Sequence, residues 1–269
     1  MFLPRLSAAR SLIWVLSLSL LVACSTTPVD PTAKMSPDQI YAEAKESMSI
    51  GAWDKAIPLL EKLEGRAAGT LLAQQAQLDR AYAHFRNGEQ AQSVVTLDRF
   101  IRLHPASPAL DYALYLKGTV NFNDDLGFLS GLTRMDLSER DQKAARESFD
   151  AYRQLVTRFP QSRYTPDARL RMGYIVNSLA QYEVHVARYY FSRGAYLAAI
   201  NRSQAAVQDY SGAPAVEEAL AIMAKAYDAL QMTQLRDDSL RVLEQTFPDS
   251  AYLAKNSGKG SAKSWWKLW

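Results

Sequence analysis

One thiol, three imidazoles and two short acidic runs are the side chains of this 269-residue chain that could carry chemistry. Cys24 is the only cysteine, so no disulfide can form within the chain and its sulfur is free for modification. His84, His104 and His185 lie far apart, and none stands in a metal-ligand or triad pattern. Asp124-Asp125 and the run from Asp136 to Asp141 lack the spacing of a calcium loop. There is no HExxH, no glycine-rich phosphate loop and no nucleophilic cysteine. These residues point to no catalytic group, no metal and no cofactor, and leave Cys24 as the one place where covalent chemistry is expected.

What precedes Cys24 says which chemistry that is. Arg5 and Arg10 form a positive start, and Leu12 through Ala23 is an apolar run of twelve residues. A bilayer span needs about 20, so the run reads as an export signal rather than a membrane helix. Leu21-Val22-Ala23-Cys24 resembles the lipobox of bacterial lipoproteins. That resemblance implies cleavage before Cys24, a diacylglycerol on its thiol and a third acyl chain on its amine. Three chains exceed the two-signal threshold for stable anchoring in a membrane. The plainer alternative is a secretory signal with an incidental cysteine. Ser25 follows where an aspartate would resemble an inner-membrane retention signal, which points to the outer membrane. The segment 1–23 is thus read as the signal peptide. Residues 24–35, with Pro28 and Pro31, are read as acylated Cys24 and a polar linker.

The elements behind it are helical. The chain is 48% hydrophobic and 22% charged, rich in alanine and leucine and without alternating β-branched runs, which favours an all-α fold. Outside the first 23 residues it carries 29 basic and 28 acidic side chains, so bulk charge gives no ground for nucleic-acid binding. From Ala187 to Arg202 the pattern is a helix end, a turn at Gly194 and a second helix folding back. Ala44-Gly51-Ala56 and Ala81-Gly88-Ser93 repeat the spacing of Ala187-Gly194-Ala199. Gly118 starts a fourth unit, and Ala226 a weaker fifth with Thr233 and Asp238 at the matching offsets. One hairpin per ~34 residues is the period of tetratricopeptide repeats, so the expected fold is an all-α solenoid of about five such repeats.

Caps and breakers give its boundaries. Ser36-Pro37-Asp38 opens the first helix, with similar starts at Ser107-Pro108, Thr165-Pro166-Asp167 and Ala213-Pro214. His104-Pro105, Phe159-Pro160 and Phe247-Pro248 mark ends. Hairpins are expected at 37–63, 73–104, 108–159, 165–211 and 214–248. Repeats 1–3 then occupy 36–160, repeats 4–5 occupy 161–250, and a tail fills 251–269. Pro58 should kink the second helix of the first repeat or move its start. An insertion at about 121–142 carries Phe122, Leu126, Phe128, Leu129 and Leu132 and is expected to be a packed loop. From Pro166 to Arg193 nothing interrupts a helix of about 40 Å.

First helices of successive hairpins line the concave face of such a solenoid. Projection from the small residue of each hairpin places Tyr41, Lys45 and Met48, then Leu78, Tyr82 and Phe85, then Tyr115, Thr119 and Phe122 on that face, with Arg86 and Tyr112 close by. Such a groove suits an extended peptide with aromatic side chains and a free carboxylate. The alternative is that these aromatics fill seams between helices. The tail carries Trp265, Trp266 and Trp269 with Lys255, Lys259, Lys263 and Lys267. That mixture suits a membrane interface or a slot on a partner, the alternative being a tail folded back on the last repeat.

Asp98 through Pro105, Asp111-Tyr112 through Gly118, Leu155-Val156 through Pro160, Tyr182-Glu183, Tyr189-Tyr190 and Arg193 through Arg202, behind a lipobox, resemble the BamD/ComL family of lipoproteins of the outer-membrane β-barrel assembly machinery. The resemblance implies a protein without enzymatic activity, held in the outer membrane by its lipid and facing the periplasm. Its implied partners are the periplasmic domains of the barrel-forming subunit BamA, other lipoproteins of the complex, and unfolded outer-membrane proteins through a C-terminal aromatic signal. Nucleic acid is not among them. Asn201-Arg202 matches the family motif of the fourth repeat, which puts the face around Arg193, Tyr196, Asn201 and Arg202 against the barrel subunit. Asp136 to Asp141 resembles the family's charged loop in the third repeat. Arg66-Ala67-Ala68-Gly69 departs from the family's Tyr-Pro-Phe-Gly turn. The rival reading is a periplasmic scaffold that recruits cell-wall enzymes, supported by the generic repeat and the anchor.

Overall fold

The computed structural model describes residues 31–122 and 142–253. Cys24 and its signal, most of the insertion with the Asp136–Asp141 run, and the tail from residue 254 lie outside the described residues. Among the described residues ten helices pair into five hairpins: α1 (Pro37–Ser49) with α2 (Trp53–Arg66), α3 (Leu71–Arg86) with α4 (Gln90–Leu103), and α5 (Leu110–Asn121) with α6 (Gln142–Arg158). Then α7 (Thr165–Ser192) pairs with α8 (Tyr196–Asp209), and α9 (Val216–Ala229) with α10 (Thr233–Thr246). Each hairpin packs on its neighbours in chain order, the arrangement of a tetratricopeptide solenoid.

The hairpin turns obey one rule. Gly51, Gly88 and Gly194 take φ of +76°, +79° and +73°, the left-handed conformation in which only glycine is unstrained. At each, the glycine N–H and the next N–H return to carbonyls of the last helical turn, as Gly194 to Phe191 and Ala195 to Tyr190, so the orphan carbonyls are satisfied. The flanking small residues Ala44, Ala56, Ala81, Ser93, Ala187 and Ala199 are fully buried where two helices touch.

The third and fifth hairpins solve the same problem differently. A Cβ on Gly118 would lie 2.5 Å from the ring of Tyr152, which is fully buried. Ser148 Oγ donates to the Gly118 carbonyl at 2.8 Å, as Ser93 Oγ does to that of Ala81, so Ser148 is the second small residue that the insertion displaces in sequence. The fifth turn falls two residues before the expected register. Gln231, not Thr233, takes the left-handed position at φ +58°, and Gln231 and Met232 return to Asp228 and Tyr227. Ala224 thus replaces Ala226 as the equivalent of Ala187, because no glycine marked the turn.

Four further expectations meet a physical answer. Ser36 caps α1 with a reciprocal capping box to Gln39. Pro58 neither ends α2 nor moves its start; it lies on the exposed face, where the Asp54 carbonyl it leaves unbonded can be hydrated. The unbroken α7 has 28 residues, about 42 Å at the α-helical rise. Ser107 and Thr165 are not N-caps: α5 begins at Leu110, and the Thr165 hydroxyl donates to the Phe159 carbonyl.

The links between hairpins repeat a second device. N–H groups step back three residues, Ser107 to His104 and Leu110 to Ser107, then Ser162 to Phe159 and Thr165 to Ser162, then Ala213 to Tyr210 and Val216 to Ala213. Leu110, Thr165 and Val216 are each buried as the next first helix opens.

Candidate functional site

Asp79 on α3 is the centre of the first groove. It is 7% exposed and accepts hydrogen bonds from Tyr41 Oη of α1 at 3.0 Å and from Gln75 Nε2 at 3.0 Å, with Lys45 Nζ at 3.4 Å. Burial, followed by the charge and hydrogen bond of Asp79, pushes the Tyr41 hydroxyl up to about 12. Between α3 and α5 a depression of about 510 Å³ runs past Leu78, Asp79, Asp111 and Tyr112 to Arg163 and Tyr164 in the link before α7. Burial and the nearby Asp79 also raise Tyr112 above the ordinary tyrosine range. Tyr164 stacks on Tyr115 at 4.7 Å and leans on Tyr112 at 5.6 Å. The exposed guanidinium of Arg163 lies 4.7 Å over the Tyr164 ring.

The expected groove residues divide into three groups. Tyr41, Lys45 and Tyr112 gather around Asp79, with Leu78 as the nearly buried floor. Tyr82 and Arg86 form a second patch with Trp53: Arg86 donates to the Tyr82 hydroxyl at 2.8 Å and lies 5.1 Å over the Trp53 ring. The rest fill seams. Met48 is buried in the first core cluster, and Phe85 is half-buried against the second. Tyr115 donates to Asp167 at 2.8 Å, and Phe122 is covered by Tyr152, Tyr174 and Arg171. Lys45 is drawn to Asp79, while the exposed cations Arg86 and Arg163 donate to the hydroxyls of Tyr82 and Tyr164 respectively.

Trp53, Asp79, Arg163 and Tyr164 were missed. Asp79 falls between the projected offsets, but Phe159-Pro160-Gln161-Ser162-Arg163-Tyr164 has a twin in Phe247-Pro248-Asp249-Ser250-Ala251-Tyr252, a signal legible without coordinates. The twin marks a second groove of about 380 Å³ between α7 and α9. Its Gln181, Val184, His185 and Arg188 each stand 106 positions after Gln75, Leu78, Asp79 and Tyr82. Tyr252 takes the place of Tyr164. The chemistry differs: His185 replaces Asp79, and Arg188 donates twice to Glu218 at 2.6 and 2.9 Å. Burial, then the charges of Glu218 and Glu217, pushes Tyr252 up to about 12.

The face expected to meet a partner lies at the α7–α8 tip. Arg193 sits 5.1 Å over the ring of Tyr189, and Tyr196 packs edge-on to Phe191 at 5.4 Å. Asn201 is exposed, and so is Leu197. Arg202 reaches back to Glu183 at 3.2 Å, a carboxylate whose side chain is 7% exposed. Among the described residues no cluster of His, Cys, Asp or Glu is placed to hold a metal, and no helix is long and apolar enough to cross a membrane.

The fold defines a helical-repeat protein of the tetratricopeptide class. Residues 33–243 match the YfiO family model, described as an outer membrane lipoprotein. The chain is 43% identical over 266 residues to the outer membrane protein assembly factor BamD of Neisseria meningitidis serogroup B, covering 97% of this chain and 99% of that protein. It is 34% identical to BamD of Vibrio cholerae, covering 87% and 97% respectively. This chain belongs to the BamD family. Among solved structures, the crystal structure of MamA protein covers 81% of this chain and 95% of its own at 14% identity, with a TM-score of 0.34.

Proposed function

We propose that this chain is a non-catalytic, lipid-anchored subunit of an outer-membrane β-barrel assembly complex, facing the periplasm. The observation that carries the reading is likeness along nearly the whole chain to proteins named outer membrane protein assembly factors. Cys24 is its acylation site, and three acyl chains suffice for stable anchoring. The α7–α8 face, with Arg193, Tyr196, Asn201 and Arg202, binds the periplasmic domains of the barrel-forming subunit BamA, and other lipoproteins attach to the same assembly. Unfolded outer-membrane proteins lay an aromatic C-terminal segment in the first groove. There Tyr112 and Tyr164 supply aromatic surface, and Arg163 meets the terminal carboxylate.

An affinity tag inserted between Thr27 and Lys34 leaves the lipobox and tail intact. Purification from mild-detergent extracts of the outer membrane should then co-elute a large β-barrel protein with periplasmic domains. Cell-wall enzymes without any barrel protein would overturn the proposal in favour of a recruiting scaffold. For the groove, Arg163→Glu should weaken binding of a client C-terminal peptide about tenfold, the effect of removing one charged contact of ~1.4 kcal/mol. Because the Arg163 side chain is exposed, thermal stability should not change. Unaltered peptide affinity would remove Arg163 from the site.

A further inference from the structure

The described chain ends on a turn that three times before has opened a new hairpin. Ser250 N–H returns to Phe247 and Leu253 N–H to Ser250, and Leu253 is buried like Leu110, Thr165 and Val216. Beside it, α9 and α10 form a depression of about 190 Å³ lined by the charged Lys225, Asp228 and Arg236 and, on its apolar side, by Ala221, Ala224, Leu240, Leu243 and Tyr252. One repeat of 37 residues earlier, the positions on the apolar side are Val184, Ala187, Ser203, Ala206 and Ala215. Of these, Val184, Ala187 and Ala206 belong to the seat on α7 and α8 into which Ala219 and Ile222 of α9 pack. The seat for a following layer therefore recurs on the last hairpin. Two flanks of α10 add exposed apolar side chains, Leu240 at this depression and Leu235 with Val242 on the other side, each between 37 and 44% exposed, where an end repeat ordinarily presents polar side chains.

The sequence beyond Leu253 supplies an occupant, though not in direct register. The counterparts of Ala219 and Ile222 one repeat on are Asn256 and Lys259, which cannot fill an apolar seat. The apolar part of the tail is Trp265-Trp266-Lys267-Leu268-Trp269, behind eleven residues rich in Gly, Ser and Lys. Eleven residues of Gly/Ser-rich composition have a random-coil span of about 18 Å, enough to reach the adjoining hairpin. Charge agrees as well. The tail carries Lys255, Lys259, Lys263 and Lys267 with no acid, whereas Val216–Thr246 holds six acids against three bases.

We infer that Trp265, Trp266 and Trp269 of this chain dock in the seat between α9 and α10 and close the end of the solenoid. The docking is intramolecular and does not depend on which partners the protein has. In full-length protein carrying Trp14→Phe and Trp53→Phe, the three tail tryptophans are the only ones left. In detergent solution they should emit at short wavelength and resist quenching by acrylamide. Leu240→Glu, at a partly exposed edge of the seat, should shift emission to the red and remove the protection. Solvent-exposed tryptophans before that change, or protection that survives it because detergent or another surface provides it, would overturn the inference. An independent measurement uses Leu240→Cys with Trp266→Cys: mild oxidation should give an intrachain disulfide, and two thiols that stay free would likewise overturn it.

Discussion

Asp79 accepts from Tyr41 and Gln75 and draws Lys45, so one carboxylate holds α1 against α3 and leaves the floor of the groove acidic. Asp79→Ala should cost about 1–3 kcal/mol by stranding a partly buried tyrosine hydroxyl and amide. A fall in the denaturation midpoint at unchanged m-value is the measurement. Nothing in a helical wheel of α3 announces this role, because the partner hydroxyl comes from another helix, 38 positions away. Glu89 is a simpler case. Hydrogen bonds from His84 and Asn87 hold its carboxyl below the usual 4.5. A depressed folded-state value means that its contribution is present above the unfolded pKa and is lost as pH falls through the lower folded one. An NMR titration should place the Glu89 midpoint below 4.5, and His84→Ala should move it back up. A midpoint at the ordinary value in the native protein would show that the turn does not hold the charged form.

The hairpin turns separate what could be read from what could not. Gly51, Gly88 and Gly194 announce their turns because a left-handed residue is cheap only for glycine, and spacing alone located all three. The fifth turn uses Gln231 at φ +58°, which carries no such mark, and the register slipped by two. Gln231→Gly should therefore stabilise the protein by about 0.5–1 kcal/mol, the strain of a left-handed residue less the extra entropy of glycine. The thermal midpoint should rise by about 1–4 °C; a fall would show that the Gln231 side chain contributes more than its backbone costs. Gly118 illustrates the opposite constraint. It was legible as a small residue, but its reason, the Tyr152 ring from beyond the insertion, was not. Gly118→Ala should cost about 1–3 kcal/mol through overpacking. In a Tyr152→Leu background the same change should be nearly neutral, which a double-mutant cycle reads directly.

Across the whole molecule, α7 joins the two halves. Its Ala168, Ile175 and Leu179 pack with α5 and α6, while Val184 and Ala187 pack with α8 and α9. The two grooves are thereby fixed relative to one another by a single rigid element. Repeat number, hairpin order and the length of α7 were all visible in alanine, glycine and proline spacing, since backbone sterics impose those residues. The pairing of the grooves was not, because it depends on a link residue, Tyr164 or Tyr252, lying over helices distant in sequence. Arg202 has the same double character. It lies half-exposed on the proposed partner face, yet it also neutralises the buried carboxylate of Glu183. A loss of complex in Arg202→Glu would therefore have two explanations, since two facing carboxylates should by themselves cost about 1–2 kcal/mol after allowance for solvent at the exposed partner. The charge swap Arg202→Glu with Glu183→Arg separates them. It restores the internal pair, so thermal stability should return towards that of the native protein. If the face binds through the guanidinium at position 202, recovery of the barrel subunit on the tagged chain should stay low in the swap. Full recovery together with restored stability would mean that Arg202 holds the fold and that the partner docks elsewhere.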